Sequence, residues 1–168
     1  LEQFASYSNV PVINGLSDSF HPCQLLADLL TYQEARGSIE GKKVVWLGDG
    51  NNMCHSYMNA ARIFNFQLVV VCPEEFLPNT EILKSSIKNT IIEHDPHNAV
   101  ENADLVVTDV WASMGQESEH TDRKEKFMKY GVLCFCDQDI TIGETIRNLA
   151  KVPLHHNPGE RYTYGIGL

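Results

Sequence analysis

Lys43-Val-Val-Trp-Leu-Gly-Asp-Gly-Asn-Asn52 decides the fold of this 168-residue chain. Its first half is an apolar run of strand length, and its second half is a turn rich in Gly, Asp and Asn. Residues 52–64 follow with Met53, Tyr57, Ala60, Ala61 and Phe64 at helical spacing. The same alternation continues downstream. Gln67 to Cys72 reads as a buried strand closed by Pro73, and 79–88 as a short helix. Residues 89–93 read as a third strand, 97–102 as two helical turns opened by Pro96, and 105–108 as a fourth strand ending at Asp109. Upstream, Pro22 suits a helix start. Leu25, Leu26, Leu29 and Leu30 form an apolar stripe, and Gly37 is a stop. Residues 117–130 are strongly charged and read as an exposed helix.

Strands alternating with helices at this spacing predict an α/β fold: a doubly wound, mainly parallel sheet with helices on both faces. Such sheets bind ligands beyond the carboxyl ends of their strands, where residues 48–52 and 109–115 fall. Composition narrows the function. Thirteen Lys and Arg against 22 Asp and Glu give a net charge of −9, with no basic block, which argues against nucleic acid as a partner. No apolar run is long enough for a bilayer, so a membrane role is not expected, and residues 1–10 show no targeting pattern. Five scattered cysteines without a C-x-x-C pair favour free thiols over a disulfide framework or a zinc site.

Three clusters can carry chemistry. The first is His21-Pro-Cys-Gln24 at a helix start, where free N–H groups and the helix dipole favour an anion. There His21 can donate to a carbonyl or phosphoryl oxygen, and Gln24 can donate or accept. The plainer reading is a helix start that binds nothing. The second is Gly48-Asp-Gly-Asn-Asn52. It departs from a dinucleotide fingerprint at Met53, and the acids Glu74 and Glu75 come only after Pro73, so a nicotinamide cofactor is a weak reading. Asn51 and Asn52 can cap the following helix or donate to a carboxylate; one Asn suffices for the cap, and the second is left to explain. The third is Asp109-Val-Trp-Ala-Ser-Met-Gly115. Asp109 and Ser113 can hold an ammonium group, or merely form a turn with Trp111 as packing. Together the clusters suit a zwitterion held beside a phosphorylated group donor.

The stretch 10–18, Phe20-His-Pro-Cys-Gln24, Gly48-Asp-Gly-Asn-Asn52 and Asp109-Val-Trp-Ala-Ser-Met-Gly-Gln-Glu117 resemble, in order, the motifs of the ornithine carbamoyltransferases. The aspartate-specific sibling family shares His-Pro-x-Gln but not the Ser-Met-Gly loop. The resemblance implies a Rossmann-like ornithine-binding domain over residues 1–133 and a divergent tail over 134–168. It implies that His21 and Gln24 contact carbamoyl phosphate, with His21 catalytic. Asn52 would take the α-carboxylate of L-ornithine, and Asp109, Ser113 and Met114 its α-amino group. The reaction implied is attack of the δ-amine on the carbamoyl carbon, giving citrulline and phosphate, with no metal or organic cofactor. The family is homotrimeric, and a cytoplasmic location is expected, or the mitochondrial matrix in a eukaryote.

The family's Ser-x-Arg-Thr-Arg phosphate loop does not occur in these 168 residues. Leu133-Cys-Phe-Cys136 stands in place of a His-Cys-Leu-Pro loop. An incomplete enzyme is therefore the expectation, with a non-catalytic amino-acid-binding remnant or an aspartate-type relative as alternatives.

Overall fold

The computed structural model describes residues 1–109 and 126–127, together with the backbone of a strand at 163–165. In chain order the elements are α1 (Glu2–Tyr7), α2 (Pro22–Arg36), β1 (Lys43–Leu47), α3 (Asn52–Phe64), β2 (Gln67–Val71), a 3-10 turn (Glu74–Phe76), α4 (Thr80–Ser86), β3 (Thr90–Glu93), α5 (Pro96–Val100), β4 (Leu105–Thr108) and β5 (Thr163–Gly165). Each strand predicted from residues 43–108 is present to within a residue or so at its ends. Helix α1 has no buried residue, and the sequence reading did not anticipate it.

The sheet order is β3-β2-β1-β4-β5, and every pairing is parallel. Alternation along the strands sends side chains to opposite faces. Val44, Trp46, Leu68 and Val70 pack with α2 and α3 on one face, while Val45, Val69 and Val71 pack with Ala99 of α5 on the other. Covering both faces is what makes the sheet doubly wound, as expected from the sequence. The strands read as continuous apolar runs for the same reason.

The stripe predicted on α2 needs correcting. Its buried residues are Leu25, Asp28, Leu29 and Tyr32, whereas Leu26 and Leu30 are about half exposed. The buried set follows the i, i+3, i+4, i+7 spacing of one helix face, which places an acid among the leucines. On α3, Phe64 is exposed, but residues 53–58 are all buried, so the first two turns are enclosed on every side.

The chain moves from β1 outward to β2 and β3, then returns past β1 to β4. The sheet therefore reverses its winding between β1 and β4, and a crevice opens beyond their carboxyl ends. Leu47 of β1 pairs with Thr108 of β4, so Gly48 and Asp109 leave the sheet side by side at that point. The charged segment 117–130 lies outside the described residues apart from Lys126 and Phe127, which are helical. Of the tail at 134–168, the structure describes only β5.

Candidate functional site at the sheet reversal

Asn51 caps α3. Its Oδ1 accepts from the backbone N–H of Met53 (3.0 Å) and Cys54 (3.1 Å), filling two of the donors a helix start leaves free. Its Nδ2 lies 3.4 Å from Asp109 Oδ2, so the cap also reaches the end of β4. Asn52, the residue the resemblance assigns to a carboxylate, donates from Nδ2 to the Ser17 carbonyl at 3.0 Å. It thereby ties the segment before α2 to the turn after β1.

His21 stands at the N-cap of α2, though its side chain does not cap the helix. Its backbone N–H donates to Ser56 Oγ (2.8 Å), and that hydroxyl donates to the Asn52 carbonyl (2.8 Å). A single serine on α3 thus holds the start of α2 against the start of α3. The ring is half buried, and among the described residues its Nδ1 is a buried polar atom without a hydrogen-bond partner. Such an atom is costly unless something binds it.

Gln24, one turn along, donates from Nε2 to Asp28 Oδ1 at 3.0 Å. Tyr57 of α3 donates its hydroxyl to the other oxygen, Oδ2, also at 3.0 Å. Burial raises the Asp28 pKa, and the hydrogen bonds from Gln24 and Tyr57 oppose that rise. The charge on Asp109 raises it further and His21 lowers it, so both act on the same carboxyl group across the crevice. Burial, followed by the Asp28 charge, pushes the Tyr57 phenol well above its usual range.

Behind the crevice, His55 joins two loops. Its Nδ1 lies 3.1 Å from the Ser19 carbonyl, and its Nε2 accepts from the Asn79 backbone N–H at 3.0 Å. These partners require a neutral ring protonated on Nδ1. Burial lowers its pKa, opposed by the Ser19 carbonyl and the Asp49 charge. Gly50 lets the loop at 76–78 approach the turn, donating its N–H to the Phe76 carbonyl at 2.8 Å. A Cβ placed there would sit 2.3 Å from the Pro78 nitrogen.

The structure therefore brings His21, Gln24, Asn51, Asn52 and Asp109 to one end of the sheet, around its reversal. Ser113, Met114 and Trp111 lie outside the described residues. Sequence reasoning missed Asp28, Ser56, Tyr57 and His55. For Asp28 a signal existed, since an acid on the apolar face of a helix must find donors or stay neutral. Among the described residues no group of three or more potential metal ligands occurs. Cys23, Cys54 and Cys72 are free thiols.

A helix start carrying an imidazole, an asparagine cap and a carboxylate thus meet at the reversal of a doubly wound parallel sheet, the architecture of a Rossmann-like α/β domain. Residues 40–138 match the model of the aspartate/ornithine carbamoyltransferase Asp/Orn-binding domain, and residues 1–34 match that of the family's carbamoyl-P binding domain. The chain belongs to the aspartate/ornithine carbamoyltransferase family. Relatives named ornithine carbamoyltransferase include those of Methylococcus capsulatus, 57% identical over 132 residues (79% of this chain, 44% of the relative), and Chromohalobacter salexigens, 55% identical over 132 residues (79% and 43%). The solved ornithine carbamoyltransferase of Pyrococcus furiosus superposes with a TM-score of 0.67 at 47% identity, over 75% of this chain and 42% of that one. The chain thus spans less than half the length of the relatives it matches.

Proposed function

We propose that this chain serves the transfer of a carbamoyl group from carbamoyl phosphate to the δ-amine of L-ornithine, giving L-citrulline and phosphate. The observation that carries the reading is the meeting of three distant junctions at the sheet reversal: the start of α2, the turn after β1 and the end of β4. In this reading the His21 ring donates to the carbamoyl oxygen and to the oxyanion that forms there. Gln24 contacts the carbamoyl group. Asn52 takes the α-carboxylate of ornithine, and Asp109 takes its α-ammonium together with Ser113 and Met114. Anchoring both charged groups of the amino acid leaves the δ-amine to reach the carbamoyl carbon. The rate then comes from orientation and from donors already in place. As the neutral amine attacks, the bond to phosphate breaks, and the proton the amine loses leaves with the phosphate.

A second reading is a domain that binds ligand without turnover. It draws on the match of residues 40–138 to the Asp/Orn-binding domain, the domain that takes the amino acid. Calorimetric titration of the chain with carbamoyl phosphate and then L-ornithine, together with a citrulline assay, separates the two. Binding with turnover supports transfer, and binding without turnover supports the second reading. The absence of any binding refutes both.

A further inference from the structure

Asp28 sits on the buried face of α2, 9% exposed, with donors on both oxygens: Gln24 Nε2 on one and the Tyr57 hydroxyl on the other. A carboxylate can only accept, so it dictates which end of the Gln24 amide faces it. The nitrogen turns inward, and the oxygen is the end left for a ligand. Among the described residues, the bond to Asp28 is the one hydrogen bond the Gln24 side chain makes. Tyr57 in turn is 1% exposed and packs against Trp46, with ring centroids 5.6 Å apart, so the anchor behind the carboxylate is itself rigid.

We infer that Asp28, held by Tyr57, is a positioning residue that fixes the polarity of the Gln24 amide, so that Gln24 presents an acceptor and selects a donor bearing N–H over one of the same shape without it. This rests on the proposal above that Gln24 meets carbamoyl phosphate, and it deepens that proposal by naming what sets the choice. Acetyl phosphate is the natural comparison, because it replaces the carbamoyl –NH2 by a methyl group of similar size. A site built around a buried acceptor discriminates against such an analogue, which would leave the acceptor unpaired.

The test uses the full chain and three variants: Gln24→Ala, the double variant Asp28→Leu/Tyr57→Phe, and their combination. The double variant replaces both buried polar partners by apolar groups of similar shape, so the fold is kept while Gln24 loses its anchor. The measurements are the Kd values for carbamoyl phosphate and acetyl phosphate and the 15N–1H resonances of the Gln24 side-chain amide. The chain should prefer carbamoyl phosphate by about tenfold or more, and the double variant should lose most of that preference. Its Gln24 amide resonances should move to solvent-like values, and adding Gln24→Ala should cost nothing further, as expected for groups that act through one another.

A measurement without variants stands beside these. In the unaltered chain the Gln24 amide resonances should follow the titration of the Asp28 carboxyl carbon. The groups facing that carboxyl group are His21 at the start of α2, Tyr57 on α3 and Asp109 at the end of β4. If Gln24→Ala leaves the affinity unchanged, Gln24 is no ligand contact, and both its assignment and the positioning role fall. If Gln24→Ala weakens binding but the double variant keeps the preference, the positioning role falls by itself. Gln24 resonances indifferent to the Asp28 titration would overturn it as well.

Discussion

Asn51 offers the sharpest test of how the crevice is built, because its two ends do different work. Its Oδ1 serves two N–H groups of α3, and its Nδ2 faces Asp109 at 3.4 Å. Asn51→Ala removes both. Loss of a half-buried cap with two bonds should cost about 1–2 kcal/mol. At the size of this chain that lowers the melting temperature by roughly 3–6 °C. Asn51→Ser keeps an acceptor and should recover most of the loss. Asn51→Asp keeps the acceptor too, and a negative charge suits a helix start by about 0.5 kcal/mol. It also places a carboxylate oxygen where an N–H faced Asp109. Two unit charges 3.4 Å apart repel by about 5 kcal/mol at an effective dielectric of 20. Rotation of the side chains and solvent at this partly buried position should reduce that to a net penalty of about 1–2 kcal/mol.

Less the helix-start gain, the aspartate variant should therefore lose about 0.5–1.5 kcal/mol at pH 7, close to the alanine variant. It should recover as acid supplies one proton to the pair, because the repulsion exists only while both groups are charged. Thermal melts of the four proteins at pH 7 and pH 5 make the measurement. An aspartate variant as stable as the unaltered chain at pH 7 would refute the contact between the cap and Asp109. An alanine variant within about 0.5 kcal/mol of it would refute the cap.

Three further outcomes follow from the same geometry. His55 is held neutral, with its pKa below the ordinary 6.5, so the unfolded chain binds the extra proton first. Its contribution to stability is present above that value and is lost as pH falls toward the lowered folded-state pKa. Urea midpoints should drop between pH 7.5 and pH 5.5, and His55→Gln should flatten that drop; an equal drop in the variant would contradict the assignment. Gly50→Ala would force a Cβ against the backbone of residues 76–78 and should cost about 1–3 kcal/mol by urea unfolding, whereas a neutral result would show that the loop moves aside freely. Asp109→Asn should weaken L-ornithine binding by about 2 kcal/mol in calorimetry, and unchanged affinity would mean that the acid only shapes its turn.

Much of the fold was legible because parallel strands covered on both faces are short apolar runs, and Gly, Asn, Asp and Pro mark their ends. The meeting of the turn after β1 with the end of β4 followed from topology, because strands far apart in sequence become neighbours at the reversal. What escaped were residues whose identity matters only in three dimensions. Asp28 looked like a gap in a leucine stripe until Tyr57, from another helix, supplied its second donor. His55 and Ser56 lay within a helix read by its apolar spacing, yet they fasten residues 19, 21 and 79 to α3. The two asparagines could not be told apart by type. The structure makes Asn51 the cap and gives Asn52 a carbonyl of the preceding segment. Helix α1 escaped because none of its residues is buried, so no apolar face announces it.

The central claim is that the start of α2, the turn after β1 and the end of β4 form one site, in which the first takes the carbamoyl donor and the other two take the amino acid beside it. A backbone amide titration of the 15N-labelled chain with carbamoyl phosphate, then L-ornithine, tests it directly. The account predicts shifts at residues 21–24 in the first step, joined by residues 51–52 and 109 in the second. Shifts confined to one of the three segments, or centred on the opposite end of the sheet, would contradict it.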